Sequence, residues 1–192
     1  MLKIGLIIGS TRPNRFADHT APWIEAAKHG RDITIETLDL RDYALPFFNE
    51  PAPPAYLKEG WTEPSAERWR HKIAEFDAYV ATVSEYNHGP TAVLKNAFDS
   101  AFFEWNRKAI AFVGHGGVGG SRAIEQLRQV AIELQMAPVR HEVNISREPY
   151  LGVVTQGKKL DDFPYLTEAR DIMFDQLVWW GEALKAAREK AA

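Results

Sequence analysis

The sequence predicts a doubly wound α/β fold, and three observations carry that reading. The chain opens on a nearly continuous apolar run, Leu2 to Ile8. Comparable runs return at Ala78–Val83 and Ala109–Val113, each followed by a loop and a helical pattern. Two other segments, around Ile33–Leu38 and Pro138–Ile145, alternate apolar and polar residues instead. Unbroken runs suit strands covered on both faces of a parallel sheet; alternation suits half-exposed strands at its edges.

Composition narrows the class further. A chain of 192 residues can bury the core of one medium domain, and a single domain over residues 1–192 is expected. Hydrophobic residues at 45% and charged residues at 26% are ordinary globular values. A net charge of -3 gives no broad basic field for nucleic acid or a membrane surface. With no cysteine, disulfides, zinc–thiolate sites and a cysteine nucleophile are excluded. Leu2–Ile8 is too short to cross a membrane, and no signal-peptide pattern precedes it. The expected location is therefore cytoplasmic.

Taken in order, the first strand stops at Gly9, and a polar loop, Ser10 to Arg15, leads into a helix from about Phe16 to Lys28. Asn14 is the predicted N-cap and Gly30 the stop. Ile33–Leu38 forms the second strand. Asp39–Pro64 carries five prolines with Leu45, Phe47, Phe48, Tyr56 and Trp61, so it reads as a long ordered loop with a binding or interface role. Ser65, as cap, begins a helix to Glu75. Ala78–Val83 is the third strand, and Pro90 suits the first turn of the helix that follows. Ala109–Val113 is the fourth, and a helix runs from about Arg122 to Gln135. The last strand begins at Pro138, with Val139, His141, Val143 and Ile145 on one face. A C-terminal helix, about 163–188, places Ala169, Ile172, Met173, Gln176, Trp180, Ala183, Leu184 and Ala187 on one stripe, with Phe174 and Trp179 off it. Such all-round apolar character predicts a second covered surface, such as another subunit. Strand–helix alternation five times over, with right-handed crossovers and two edge strands, gives the order 2-1-3-4-5, helices on both faces.

In that order the loops after strands one, three and four meet at one crevice, where doubly wound sheets bind ligands. The first loop offers Ser10 and Thr11 hydroxyls and the Arg12 and Arg15 guanidiniums before a helix N-terminus, donors matched to phosphate. It lacks Gly-Lys-Ser/Thr and is no Walker A loop. The second loop holds Glu85, Tyr86, Asn87 and His88. Ser84 sits in no nucleophile elbow, and Glu85 is open to acid–base work or to pairing with an arginine. The third loop, Gly114-His115-Gly116-Gly117-Val118-Gly119, matches G-x-G-x-x-G literally, with Glu142 as its acidic partner, but follows the fourth strand rather than the first. Glycines there also let backbone approach a flat ligand. The six histidines show no metal-ligand spacing, and His88 and His115 are read as pocket-lining residues that can meet in the crevice.

Gly9-Ser10-Thr11-Arg12, Glu85-Tyr86-Asn87, Leu94-Lys95-Asn96-Ala97-Phe98-Asp99 and the glycine-rich stretch Gly114–Gly120 occur in one order. With Asp39-Leu40, Leu45-Pro46 and Glu104-Trp105-Asn106, they resemble the NAD(P)H-dependent FMN reductase family from about Lys3 to Val143. The resemblance implies a flavodoxin-like fold, FMN as cofactor, NADPH or NADH as co-substrate, and a flavin, quinone, azo compound or chromate as acceptor, reduced by a ping-pong mechanism. It also implies a homodimer or homotetramer, for which Trp61, Trp105 and Trp179 are the interface candidates. By the same resemblance Ser10, Arg12 and Arg15 hold the FMN phosphate. Glu85, Tyr86 and Asn87 wrap the flavin edge, and Gly116, Gly117 and their neighbours border the ring. The full cofactor-binding set adds Thr11, His88, His115 and Gly119; no side chain is assigned a covalent role. Ser84 stands where the family usually has proline. Arg107, Arg122 and Arg147 are candidates to favour NADPH over NADH. The competing readings are a non-enzymatic FMN-binding carrier or sensor, and a dinucleotide enzyme using Gly114–Gly119.

Overall fold

The computed structural model describes residues 1–57 and 60–191. The Lys58-Glu59 part of the long loop thus lies outside the described residues. The parallel sheet has the order β2-β1-β3-β4-β5. Its strands are β1 (Leu2–Ile8), β2 (Ile33–Asp39), β3 (Ala78–Ser84), β4 (Ala109–His115), β5 (Ala137–Pro138) and β6 (Val143–Ile145). The helices are α1 (Ala17–Glu25), α2 (Pro64–Ala74), α3 (Ala92–Asp99), α4 (Ser121–Glu133), α5 (Arg147–Gln156) and α6 (Pro164–Ala191). This is the flavodoxin-like arrangement expected from the sequence, with β2 at an edge.

Strand alternation divides the core into two layers. Leu2, Ile4, Leu6 and Ile8 of β1 face one side with Trp23 and Ile24 of α1 and Met173, Phe174 and Leu177 of α6. Ile7, with Tyr79 and Phe112, faces the other side, against Trp69 of α2, Phe98 of α3 and Ile124 of α4. Buried apolar area on both faces is the main stabilising contribution. It also fixes register, because a one-residue slip would exchange the faces.

Several local expectations are corrected. Asn14 is not a cap: it lies in the left-handed region at φ 53, and Phe16 occupies the cap position of α1 without a side-chain bond. Glu63, not Ser65, caps α2, its carboxylate accepting from the Ser65 N–H. Thr91 caps α3, leaving Pro90 before the helix rather than in its first turn. The last strand is two pieces, β5 and β6, both paired to β4. Between them the chain bulges, and the Arg128 guanidinium donates to the carbonyls of Val139 (2.7 Å) and Arg140 (3.0 Å), replacing ladder bonds.

The C-terminal stripe is also displaced. α6 buries Leu166, Arg170, Met173, Phe174, Leu177 and Gly181, while Ile172, Trp179 and Trp180 are exposed. Arg170 belongs on the inner side because it donates to the Trp23 carbonyl at 3.1 Å. Trp105 is fully buried, its indole N–H donated to the Phe98 carbonyl, so it cannot serve an interface. Helix α5 was not anticipated at all. No helix among the described residues is long and apolar enough to cross a membrane.

Candidate functional site

The first loop is held open by contacts beneath it. Gly9 donates its N–H to Thr82 Oγ1 at 2.9 Å, and a Cβ at Gly9 would stand 2.1 Å from the Thr82 carbonyl oxygen. Only glycine lets β1 turn there against β3. Thr91 donates its hydroxyl to the Gly9 carbonyl, tying the α3 N-terminus to the same turn.

Arg15 serves the loop from below. Its side chain is buried and donates to both Asp39 carboxylate oxygens, to Asp18 (2.7 Å) and to the Ser10 carbonyl (2.7 Å). The hydrogen bond to Asp39 is the main reason the guanidinium is held above its ordinary pKa, and the same bond lowers Asp39. Arg15 therefore fixes the loop's shape, with most of its donors spent on protein acceptors.

Arg12 differs. It is exposed and has no carboxylate partner among the described residues, and its guanidinium lies 5.7 Å from the Tyr86 ring centre. The Ser10 hydroxyl is 3.3 Å from the Tyr86 hydroxyl. Among the described residues no protein acceptor takes the N–H of Ser10 or Thr11. Two backbone N–H groups without a protein acceptor and a guanidinium without a carboxylate partner thus follow one another in the loop after β1, and the one carboxylate lining the same crevice, Glu85, is paired with Arg122. That donor set suits an anion with several oxygens, such as a phosphate monoester.

The second loop is a tight reverse turn. Tyr86 and Gly89 exchange backbone hydrogen bonds, with Asn87 and His88 between them at φ 51 and φ 69. Two consecutive left-handed residues make a type I′ turn, in which a histidine is strained. Its anchor is α4. Glu85, with a side chain only 4% exposed, pairs with the Arg122 guanidinium and accepts the Arg122 N–H at 3.2 Å. The cap of α4 is Gly120, which has no side chain to offer, so Glu85 supplies the negative group at that helix N-terminus. Arg122 also meets His88 Nε2 at 2.8 Å, and Gln126 donates to the His88 carbonyl. Of the two roles open to Glu85, pairing with an arginine is the observed one.

His115 closes the crevice floor from the third loop. Its Nε2 is 3.1 Å from the Ser84 hydroxyl. Burial first, and the Arg12 charge second, lower its pKa to about 4, so the ring is neutral at neutral pH. His115 bonds to Ser84 while His88 turns to Arg122, so the two histidines do not form a pair. The glycine motif is not a dinucleotide fingerprint: Glu142 is held by Arg128 at 2.8 Å, and a Cβ at Gly119 would stand 2.6 Å from Asn144. These glycines let the loop pack on its own neighbours, while Gly117 faces open space.

A crevice of about 230 Å³ gathers Ser10, Arg12, Glu85, Tyr86, His115 and Gly116, with Asn14, Arg15, Phe16, Ser84 and Tyr150 around them. Thr11 faces a neighbouring cavity of about 340 Å³ whose other wall is Leu40, Arg41, Ala44 and Leu45, so the long loop begins beside the site. Sequence reasoning missed Phe16 and Tyr150, whose rings lie 4.9 Å apart. Phe16 was readable only as a core residue, and Tyr150 sits on the unanticipated α5. Arg107 is not near: it follows α3 and lies before β4, at the amino end of the sheet, where its carbonyl accepts from Arg188.

Comparison with known proteins identifies the family. Residues 2–149 match the family model described as NADPH-dependent FMN reductase. An NAD(P)H-dependent FMN reductase of Schizosaccharomyces pombe is 35% identical over 156 residues, covering 79% of this chain and 78% of the relative. One of Pseudomonas aeruginosa is 35% identical over 152 residues, covering 76% and 75%. Among solved structures, a flavoenzyme NAD(P)H:(acceptor) oxidoreductase from Paracoccus denitrificans superposes with a TM-score of 0.72 at 19% identity, covering 95% of this chain and 98% of that one. With most of its length matched, the chain belongs to the NADPH-dependent FMN reductase family.

Proposed function

We propose that this crevice binds FMN and that the protein transfers reducing equivalents from NAD(P)H to a flat acceptor by a ping-pong mechanism. The observation that carries the placement is the cluster of unpartnered donors at Ser10, Thr11 and Arg12. Relatives named as quinone oxidoreductases and FMN reductases support a quinone or a flavin as acceptor.

FMN, when bound, supplies the hydride and electron chemistry; the chain binds and orients it. Ser10, Thr11 and Arg12 hold the phosphate, and Arg15 with Asp39 keeps those donors in position. The Tyr86–Gly89 turn borders the ring edge on one side and Gly116 and Gly117 on the other. Asn87, His88 and Gly119 shape these two loops. Arg122 keeps the Glu85 carboxylate engaged, so it does not repel electron-rich groups in the crevice. Neutral His115 adds no charge to the floor. In these two loops the N–H groups of Glu85, Tyr86, Gly89, Gly116 and Gly119 are spent on protein carbonyls, whereas those of Asn87, His88 and Gly117 take no protein acceptor among the described residues and would be available to polar atoms of a bound flavin. NAD(P)H and the acceptor use one open face in turn.

An absorption spectrum of the purified protein with FMN, then NADPH without oxygen, tests the function: flavin bands bleached by NADPH are expected, and no flavin binding overturns it. The placement is tested by titration. Arg12→Ala should weaken FMN about tenfold to a hundredfold, from charge-assisted hydrogen bonds worth about 1.5–3 kcal/mol, and Glu85→Gln far less. Equal, negligible losses would sink the assignment. We also propose a homo-oligomer, dimer or tetramer, supported by Trp179 and Trp180 exposed at 64% and 42% on α6. Sedimentation of a single 21.7 kDa species would overturn that reading.

A further inference from the structure

A second cavity, about 310 Å³, opens from the crevice and shares His115, Gly116 and Tyr150 with it. Gly117, Leu151 and Arg147 complete its lining. Its size falls at the lower end of small-molecule sites. Apart from Arg147 the lining is largely apolar or neutral. Tyr150 rests on Phe16 at 4.9 Å, and Phe16 on His115 at 5.1 Å, so the aromatic wall is braced from behind. Burial keeps His115 uncharged, leaving Arg147 as the one cation of the lining. Arg147 is exposed and has no carboxylate partner among the described residues. Tyr150 and Leu151 also lie beyond the stretch that matches the family model, which ends at residue 149.

We propose that this shelf is an acceptor subsite selective for flat aromatic acceptors that carry an acidic group on the ring system, with Arg147 as the counter-ion. This rests on the function proposed above and specifies its substrate class. A guanidinium within the same small compartment as an aromatic wall matches a ring bearing its own sulfonate or carboxylate. It matches NADPH less well, because the 2′-phosphate and the nicotinamide sit at opposite ends of an extended dinucleotide. With a quinone acid the balance is simple. NAD(P)H gives up a hydride and leaves as NAD(P)⁺. The quinone gains those two electrons and that proton, takes a second proton from solvent, and leaves as the hydroquinone.

The test compares 1,2-naphthoquinone-4-sulfonate with neutral menadione on the FMN-loaded protein. Arg147→Gln should raise KM for the sulfonate roughly tenfold, equivalent to about 1.4 kcal/mol, and move KM for menadione less than twofold. Tyr150→Ser should raise both. Calorimetric binding of naphthalene-2-sulfonate, which is not reduced, should weaken by the same factor in Arg147→Gln and reads the subsite without turnover. Equal changes for the two quinones, no change for either, or no naphthalene-sulfonate binding overturns the proposal. A changed preference for NADPH over NADH with the sulfonate unaffected also overturns it, assigning Arg147 to the 2′-phosphate. Failure of the proposed function looks different: the wild type would hold no FMN and reduce neither quinone, while the calorimetric arm would still report on Arg147.

Discussion

His115 ties stability to pH in a way that can be measured. Burial against Phe16 and Ser84 holds its folded pKa at about 4, against 6.5 when unperturbed. Between those values the unfolded chain binds a proton that the folded chain refuses. Stability must therefore rise with pH across this window: the contribution is fully present above 6.5 and is lost as pH falls toward 4. The full interval is worth about 3 kcal/mol, and about 2 kcal/mol of it falls between pH 6.5 and 4.5. His115→Gln keeps a side-chain amide within reach of the Ser84 hydroxyl and removes the titration. The assay is urea unfolding of FMN-free protein at several pH values, so that ligand binding does not move the midpoint. The wild type should lose about 2 kcal/mol more than the variant from pH 6.5 to 4.5. Parallel profiles would refute the burial argument, and a steeper loss in the variant would reverse its sign.

Two substitutions in the third loop should separate packing from ligand approach. Gly119→Ala, at φ +71 with Asn144 atoms 2.6 Å from the added Cβ, should cost at least about 2 kcal/mol, whereas Gly117→Ala, with open space around it, should leave the urea midpoint within about 0.5 kcal/mol and act only on ligand affinity. Arg128→Ala should cost about 2–3 kcal/mol, because two carbonyls and the Glu142 carboxylate lose their donor together; a loss below about 0.5 kcal/mol, read by urea unfolding, would mean that water replaces the guanidinium freely.

The central strands were legible because burial on both faces leaves no polar alternation to misread. β3 is buried throughout, β1 except at Lys3, and β4 except at its last residue, His115. The errors fall where burial is achieved by residues that carry no hydrophobic signal. Arg170 and Gly181 occupy inner positions of α6, and a Cβ at Gly181 would stand 2.7 Å from Leu2. A pattern reader therefore rotates that helix toward Ile172 and Trp180. Helix α5 hides for the same reason, since its buried residues are Pro149 and Gly152. A Cβ at Gly152 would stand 2.8 Å from Phe163, so close approach, and not apolar periodicity, places the helix.

The site follows a similar division. The loops after β1, β3 and β4 meet in one crevice, as strand order and their hydroxyls, guanidiniums and glycines led one to expect. Residue types did not reveal which arginine was free. Arg12 and Arg15 are three residues apart, and either would suit a phosphate by composition. The distinction is made by Asp39, 24 positions away from Arg15 in sequence and brought beneath the loop only by the pairing of β1 with β2. The same holds for Glu85, whose partner Arg122 arrives through the β3–β4 pairing, 37 positions on. Charged residues whose partners are set by strand order cannot be sorted into ligand-binding and structural roles from local sequence. Arg147 illustrates the converse: it opens α5 directly after β6, lines the cavity that shares His115, Gly116 and Tyr150 with the crevice, and has no carboxylate partner among the described residues.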